Sequence, residues 1–136
     1  MNIHDACAYL KPRFVYRSDP KNVIGDSWRV MREVDGKMYG DCDDYTFTAF
    51  WLHSDRKLTR FLWRVFVSGD YQALFAKAPD GTSHLVGTVD NLWFDNWAKE
   101  PLQRGDFLKR TGHVITRRAS LRVIGWQMLV GYIRGK

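Results

Sequence analysis

Gly40-Asp41-Cys42-Asp43-Asp44-Tyr45-Thr46-Phe47-Thr48-Ala49-Phe50-Trp51-Leu52-His53 is the stretch on which the reading of this chain turns. Asp41 offers a short carboxylate to the orphan backbone N–H groups at a helix start, and Asp44, three positions on, completes a capping-box-like pair. The spacing predicts a helix over 42–53. Beyond its first turn that helix is apolar on nearly every side, so it is expected to be buried rather than to lie on the surface. Its N-terminus displays Cys42, where the helix dipole favours a thiolate. Asp43 and Asp44 oppose this, because nearby carboxylates disfavour a further negative charge. The dipole supplies on the order of 1 kcal/mol, so an activated Cys42 needs a cationic histidine in contact.

Four histidines are available. His53 sits eleven residues along the same helix, roughly 16 Å away, and cannot reach Cys42. His4 belongs to the N-terminal segment. His113 lies in the basic tail, with no carboxylate in a suggestive register. His84 opens the run His84-Leu85-Val86-Gly87-Thr88-Val89, which is followed by Asp90-Asn91 and then Leu92-Trp93-Phe94-Asp95. Two extended runs around a two-residue polar turn predict a hairpin. Its open ends bring His84 and Asp95 together, as a base and the carboxylate that orients it. Asp90 is nearer in sequence but belongs to the far end of the hairpin and ranks second.

Working outward, residues 2–11 read as a helix carrying Ile3, Cys7 and Leu10. Residues 14–16 read as an extended piece, 18–20 as a turn, and 21–34 as a helix with Val23, Ile24, Trp28 and Met31. Residues 35–37 form a turn. Aromatic and β-branched content predicts strands over 61–67 and 71–77. Residues 97–110 read as a short helix or loop, and 114–116 and 123–133 as further strands, the last with a helical alternative.

The 136 residues suit one domain spanning 1–136. At 45% hydrophobic and 15% aromatic residues there is material for a core, which excludes a disordered chain. No apolar run is long enough to span a membrane. The N-terminus lacks a basic segment followed by an apolar one, so a cytoplasmic protein with no membrane partner is expected. Two cysteines without a CxxC pair suggest neither a disulfide framework nor a zinc finger. The net charge of +6 is uneven: residues 101–136 hold eight Lys and Arg against Asp106 alone, whereas the first hundred are nearly balanced. A nucleic acid or an acidic protein could dock on this basic region, through Lys109, Arg117, Arg118 and Arg122 with Trp126 and Tyr132. The plainer alternative is a solvated face, since strand alternation would separate Arg117 from Arg118.

Several segments together resemble one family. They are Phe14-Val-Tyr-Arg-Ser-Asp-Pro20, Asp26-Ser27-Trp28, Gly40-Asp-Cys-Asp-Asp-Tyr-Thr46, His84 with its Leu-Val-Gly-Thr-Val, and Phe94-Asp95-Asn96-Trp97. Their order and content are similar to the bacterial transglutaminase-like cysteine proteinases, within the wider transglutaminase-like superfamily, over roughly residues 14–97. The resemblance implies a papain-like α+β fold, with the cysteine helix packed on an antiparallel sheet. It implies Cys42 as nucleophile, His84 as base and Asp95 as the orienting carboxylate. The implied activity is acyl transfer from an amide of a protein or peptide substrate, through a thioester, with no metal or organic cofactor. The chain departs from the family in three places. The His84–Asp95 segment is short, Thr46 stands where a small apolar residue is common, and no glutamine precedes Cys42 to help bind an oxyanion. The Cys42 backbone N–H is one candidate donor, and Trp28 or Tyr39 the other.

Overall fold

Helix α1 (Ile3–Leu10) begins where the Asn2 side chain accepts the Asp5 backbone N–H, and it buries Ile3, Ala6, Cys7 and Leu10 on one helical stripe. The computed structural model describes residues 1–16, 31, 33–119, 123 and 126. Strand β1 (Phe14–Tyr16) runs parallel to β3 (Lys37–Gly40), which pairs antiparallel with β2 (Glu33–Val34), giving a small mixed sheet in the order β1-β3-β2. Val34 pairs with Lys37, so Asp35 and Gly36 alone make the turn, both at positive φ. This is the backbone that a two-residue hairpin needs. The predicted helix over 21–34 therefore does not extend through 33–34, which are strand; most of that segment, and the turn at 18–20, lies outside the described residues.

Helix α2 (Cys42–His53) follows at the predicted position. Asp44 N–H donates to Asp41 Oδ1 at 3.1 Å and Asp41 N–H to Asp44 Oδ2 at 3.3 Å, a reciprocal capping box. From Asp44 to His53 every residue but the half-buried Trp51 is buried. Tyr45, Phe47, Phe50 and Leu52 are all within 2% of full burial, each stabilising the fold by about 1.5–3 kcal/mol relative to exposure. The helix packs against α1, β3, α3 and β5. Phe50 stacks on Tyr71 at 4.4 Å between centroids and meets Phe94 edge-on at 5.4 Å.

The segment 61–67 is helical, not extended: α3 spans Leu58–Phe66. Its aromatic and β-branched residues suggest a strand, but the burial of Phe61 and Val65, four apart, against exposed Trp63 follows a helical period. Packing on α2 overrides local propensity here. Strands β4 (Gln72–Lys77), β5 (Ser83–Val89), β6 (Leu92–Phe94) and β7 (Val114–Ala119) form an antiparallel sheet in the order β6-β5-β4-β7. The predicted β5–β6 hairpin is present, with Val89 opposite Leu92 and Asp90 and Asn91 both at positive φ. Helix α4 (Arg104–Thr111) lies between β6 and β7, starting later than the predicted segment. Val123 and Trp126 are helical, and the rest of 123–133 lies outside the described residues. The protein is thus a mixed α+β structure. No described helix is long and apolar enough to cross a membrane.

Candidate functional site

Cys42 and His84 line one cleft of about 420 Å³, together with Phe14 and Tyr16 of β1, Ser83 of β5, and Asn96 and Trp97 after β6. Local sequence explains why each element arrives there. Gly40 precedes the capping box because a Cβ at that position would lie 2.7 Å from the Asp44 Cβ and 2.8 Å from the Met31 sulfur. Only glycine lets β3 run into α2 so tightly and leave half-buried Cys42 as the first helical residue. The buried Thr46 hydroxyl lies 3.0 Å from the Cys42 carbonyl and 3.3 Å from the Leu85 carbonyl. Thr46 therefore links the first turn of α2 to the strand residue beside His84.

The carboxylate of Asp95 is fully buried and used on both oxygens. Oδ1 accepts the backbone N–H groups of Trp97 at 3.0 Å and Ala98 at 2.8 Å. Oδ2 is 2.7 Å from Nε2 of His113. The sequence reading set His113 aside for want of a carboxylate partner, and that expectation is corrected. Helix α4 ends at Gly112 in the left-handed conformation, φ 70°, where a Cβ would also meet the Pro79 ring at 2.8 Å. The chain turns there and delivers His113 into the interior, eighteen residues beyond its partner. Phe107 of α4 holds it from the side, 5.9 Å between centroids. A helix C-terminal glycine followed by a histidine and a strand was the available signal, but it carries no information about which carboxylate the ring will meet.

His84 lies near this pair rather than in simple register with Asp95. Gly87 pairs with Phe94, so the same register continued past the end of β6 would set Trp97, not Asp95, across from His84. Trp97 indeed meets His84 edge-on at 4.6 Å, and the His113 ring lies nearly parallel to it at 5.0 Å. One donor atom each of His84, Asp95 and His113 lie within 4.8 Å of one another. Burial, and then the neighbouring His113, push the His84 pKa below the ordinary imidazole value, while Asp95, Asp80 and Asn96 pull the other way. Asn96 is close enough to act on the ring, yet among the described residues neither its Oδ1 nor His84 Nδ1 has a hydrogen-bond partner. The neutral ring that results can accept a proton, whereas the sequence argument had called for a cationic one.

The competing groups are placed elsewhere. Asp90 sits at the far hairpin turn, 3.5 Å from Nε2 of His53. His53 ends α2 at the opposite end from Cys42. Cys7 is buried in α1, and neither cysteine is in a disulfide. Burial pushes the Cys7 thiol up to about 12, against a smaller opposing effect of the Tyr45 hydroxyl. Of the two oxyanion candidates, Tyr39 is half-buried on β3 and is not among the described residues lining the cleft; Trp28 lies outside the described residues. In the basic region Arg117 lies over the Phe75 ring at 4.7 Å, Arg118 donates to Gln72 and Arg110 pairs with Glu100. Lys109 is exposed, and Arg122 and Tyr132 lie outside the described residues.

No protein-family model matches this chain, and neither does any curated protein.

Proposed function

We propose that this protein is a cysteine-dependent acyl-transfer enzyme, a transglutaminase-like peptidase or amidase with a papain-like arrangement of helix and sheet. The observation that carries the reading is the shared cleft. A cysteine at the N-terminus of a buried helix and a histidine at the start of an antiparallel strand open onto the same space. Cys42 Sγ attacks the carbonyl carbon of a bound amide as its proton passes to His84. His84 then protonates the leaving nitrogen, which departs with the C–N bond. Water, or an amine in a transamidation, attacks the resulting thioester and releases Cys42 as its thiol. The Cys42 backbone N–H, at the first position of α2, is the candidate oxyanion donor. Asp95 acts on His84 as a nearby negative charge, and its direct hydrogen bond goes to His113. Protein or peptide chains are the expected substrates, as the family resemblance implies.

Brief iodoacetamide labelling followed by peptide mass spectrometry tests the reading. Burial keeps the Cys7 thiol protonated near pH 8, so label is expected at Cys42 alone. Asp95→Asn is expected to slow Cys42 labelling about tenfold or more, and Asp90→Asn to leave it unchanged. Equal labelling of both thiols, or a larger effect from Asp90→Asn, would overturn the assignment.

A further inference from the structure

Three buried side chains from three separate segments converge behind the cleft: His84 from β5, Asp95 from the turn after β6, and His113 from the turn after α4. We propose that they form a binding site for a divalent first-row transition-metal ion, with zinc the best fit to the donor set, and that an ion held there silences Cys42. The binding stands on the geometry of the cluster. The silencing rests on the cysteine-enzyme reading above.

Four features support an ion. The donor atoms lie within 4.8 Å of one another, and Asp95 Oδ2 and His113 Nε2 are already 2.7 Å apart. A tetrahedral zinc ion, with bonds of about 2.0–2.1 Å, needs its ligands roughly 3.3 Å apart, so modest side-chain rotations close the set. His84 and His113 are each at least 94% buried, and Nδ1 of His84 has no hydrogen-bond partner among the described residues. A buried polar atom left in that state is a cost that coordination relieves. The Asp95 carboxylate is held in place by the Trp97 and Ala98 backbone N–H groups, the kind of outer support that orients a ligating carboxylate. Finally, two imidazoles with one carboxylate suit a borderline ion, whereas calcium and magnesium take oxygen donors.

Binding exchanges the Asp95–His113 hydrogen bond for two coordinate bonds. The His113 ring keeps one proton, on Nδ1, and stays neutral. The consequence for Cys42 follows from the chemistry of one ring. An ion on either nitrogen of His84 leaves the other carrying its proton, so His84 no longer has a lone pair with which to accept from the thiol. With three protein ligands the fourth position stays open to water.

The test uses the full chain in metal-free buffer. Equilibrium dialysis with zinc, followed by metal analysis, is expected to give one ion per chain. His113→Ala and Asp95→Asn are expected to weaken binding about tenfold or more; Cys42→Ala and His4→Ala are expected to bind as the parent does. Cobalt(II) bound to the unsubstituted protein should show the visible absorption of a four-coordinate nitrogen and oxygen site, a readout that needs no variant to fold. Circular dichroism and His113→Gln guard against misfolding of His113→Ala. No uptake by the parent chain, uptake unchanged by both His113 variants, or uptake lost in Cys42→Ala would overturn the site. Zinc should slow iodoacetamide labelling of Cys42 and a chelator should restore it; full-rate labelling with zinc bound would overturn the silencing. If Cys42 is no more reactive than Cys7 without metal, the enzyme reading fails, while the zinc titration still reports on the site.

Discussion

Gly87 sits in the middle of β5, paired with Ala73 on one side and Phe94 on the other. An alanine there would place its Cβ 2.5 Å from Phe94 Cζ, 2.9 Å from Phe94 Cε2 and 2.9 Å from Thr46 Cγ2. Phe94 cannot swing aside, because it is fully buried and meets Phe50, which is itself stacked on Tyr71. The strand must therefore move away from α2. Such overpacking costs about 1–3 kcal/mol, which for a chain of this size lowers Tm by roughly 3–10 °C. The displaced gap is the one that the Thr46 hydroxyl spans between the Cys42 and Leu85 carbonyls, so His84 shifts relative to Cys42. A misplacement of about 1 Å can cost on the order of a hundredfold in rate. Gly87→Ala is accordingly expected to lower Tm and to slow Cys42 alkylation together. Gly105→Ala serves as the opposite control: a Cβ on that exposed helical glycine meets nothing within 4 Å, so it should stabilise α4 by about 0.5–1 kcal/mol with alkylation unchanged. Thermal melts and timed iodoacetamide labelling of the three proteins decide the matter. Gly87→Ala melting at or above the parent would refute the packing argument. A lowered Tm with an unchanged labelling rate would refute the claim that helix–strand spacing sets the site.

Thr46→Val keeps the shape of the side chain and removes its hydroxyl. It is expected to cost about 1 kcal/mol and to slow Cys42 labelling, and equal labelling rates would show that the link to Leu85 does not position the cleft. A pH effect is expected at His53, which faces Tyr71, Arg64 and Asp90 and feels the charge of the N-terminal amine. Its Nδ1 is 2.6 Å from an Arg64 nitrogen that can only donate, and 2.7 Å from the Tyr71 hydroxyl, so this nitrogen holds a lone pair. Burial first, and then Arg64, lower the pKa of His53 below 6.5. Because the folded value lies below the unfolded one, the stability it contributes is present above about pH 6.5 and is lost as pH falls through the folded value. Urea melts of His53→Gln should show a shallower loss of stability between roughly pH 7 and 5 than the parent, and identical slopes would remove His53 from the account.

Local chemistry was enough to read several elements. The Asp41–Asp44 box, the all-round apolar face of α2 and the Asp90-Asn91 turn each act within a few residues, so their outcome was written in neighbouring side chains. The same holds for α1 and for the turn at Asp35-Gly36. Segment 61–67 failed because its composition favours extended backbone, while the surface of α2 selects a helix with Phe61 and Val65 on one side. The end of the predicted helix at 33–34 failed because β3 offers hydrogen-bond partners that no local pattern announces.

The candidate site divides in the same way. The sequence by itself determined that a cysteine opens a buried helix and that a histidine opens a strand hairpin, because capping, periodicity and turn type are short-range properties. Only the tertiary structure decided where the buried negative charge of Asp95 is spent. A carboxylate taken out of water must find donors wherever the packed chain supplies them. Here the nearest were two backbone N–H groups and a histidine carried in by α4 from eighteen residues away, rather than His84 on the neighbouring strand.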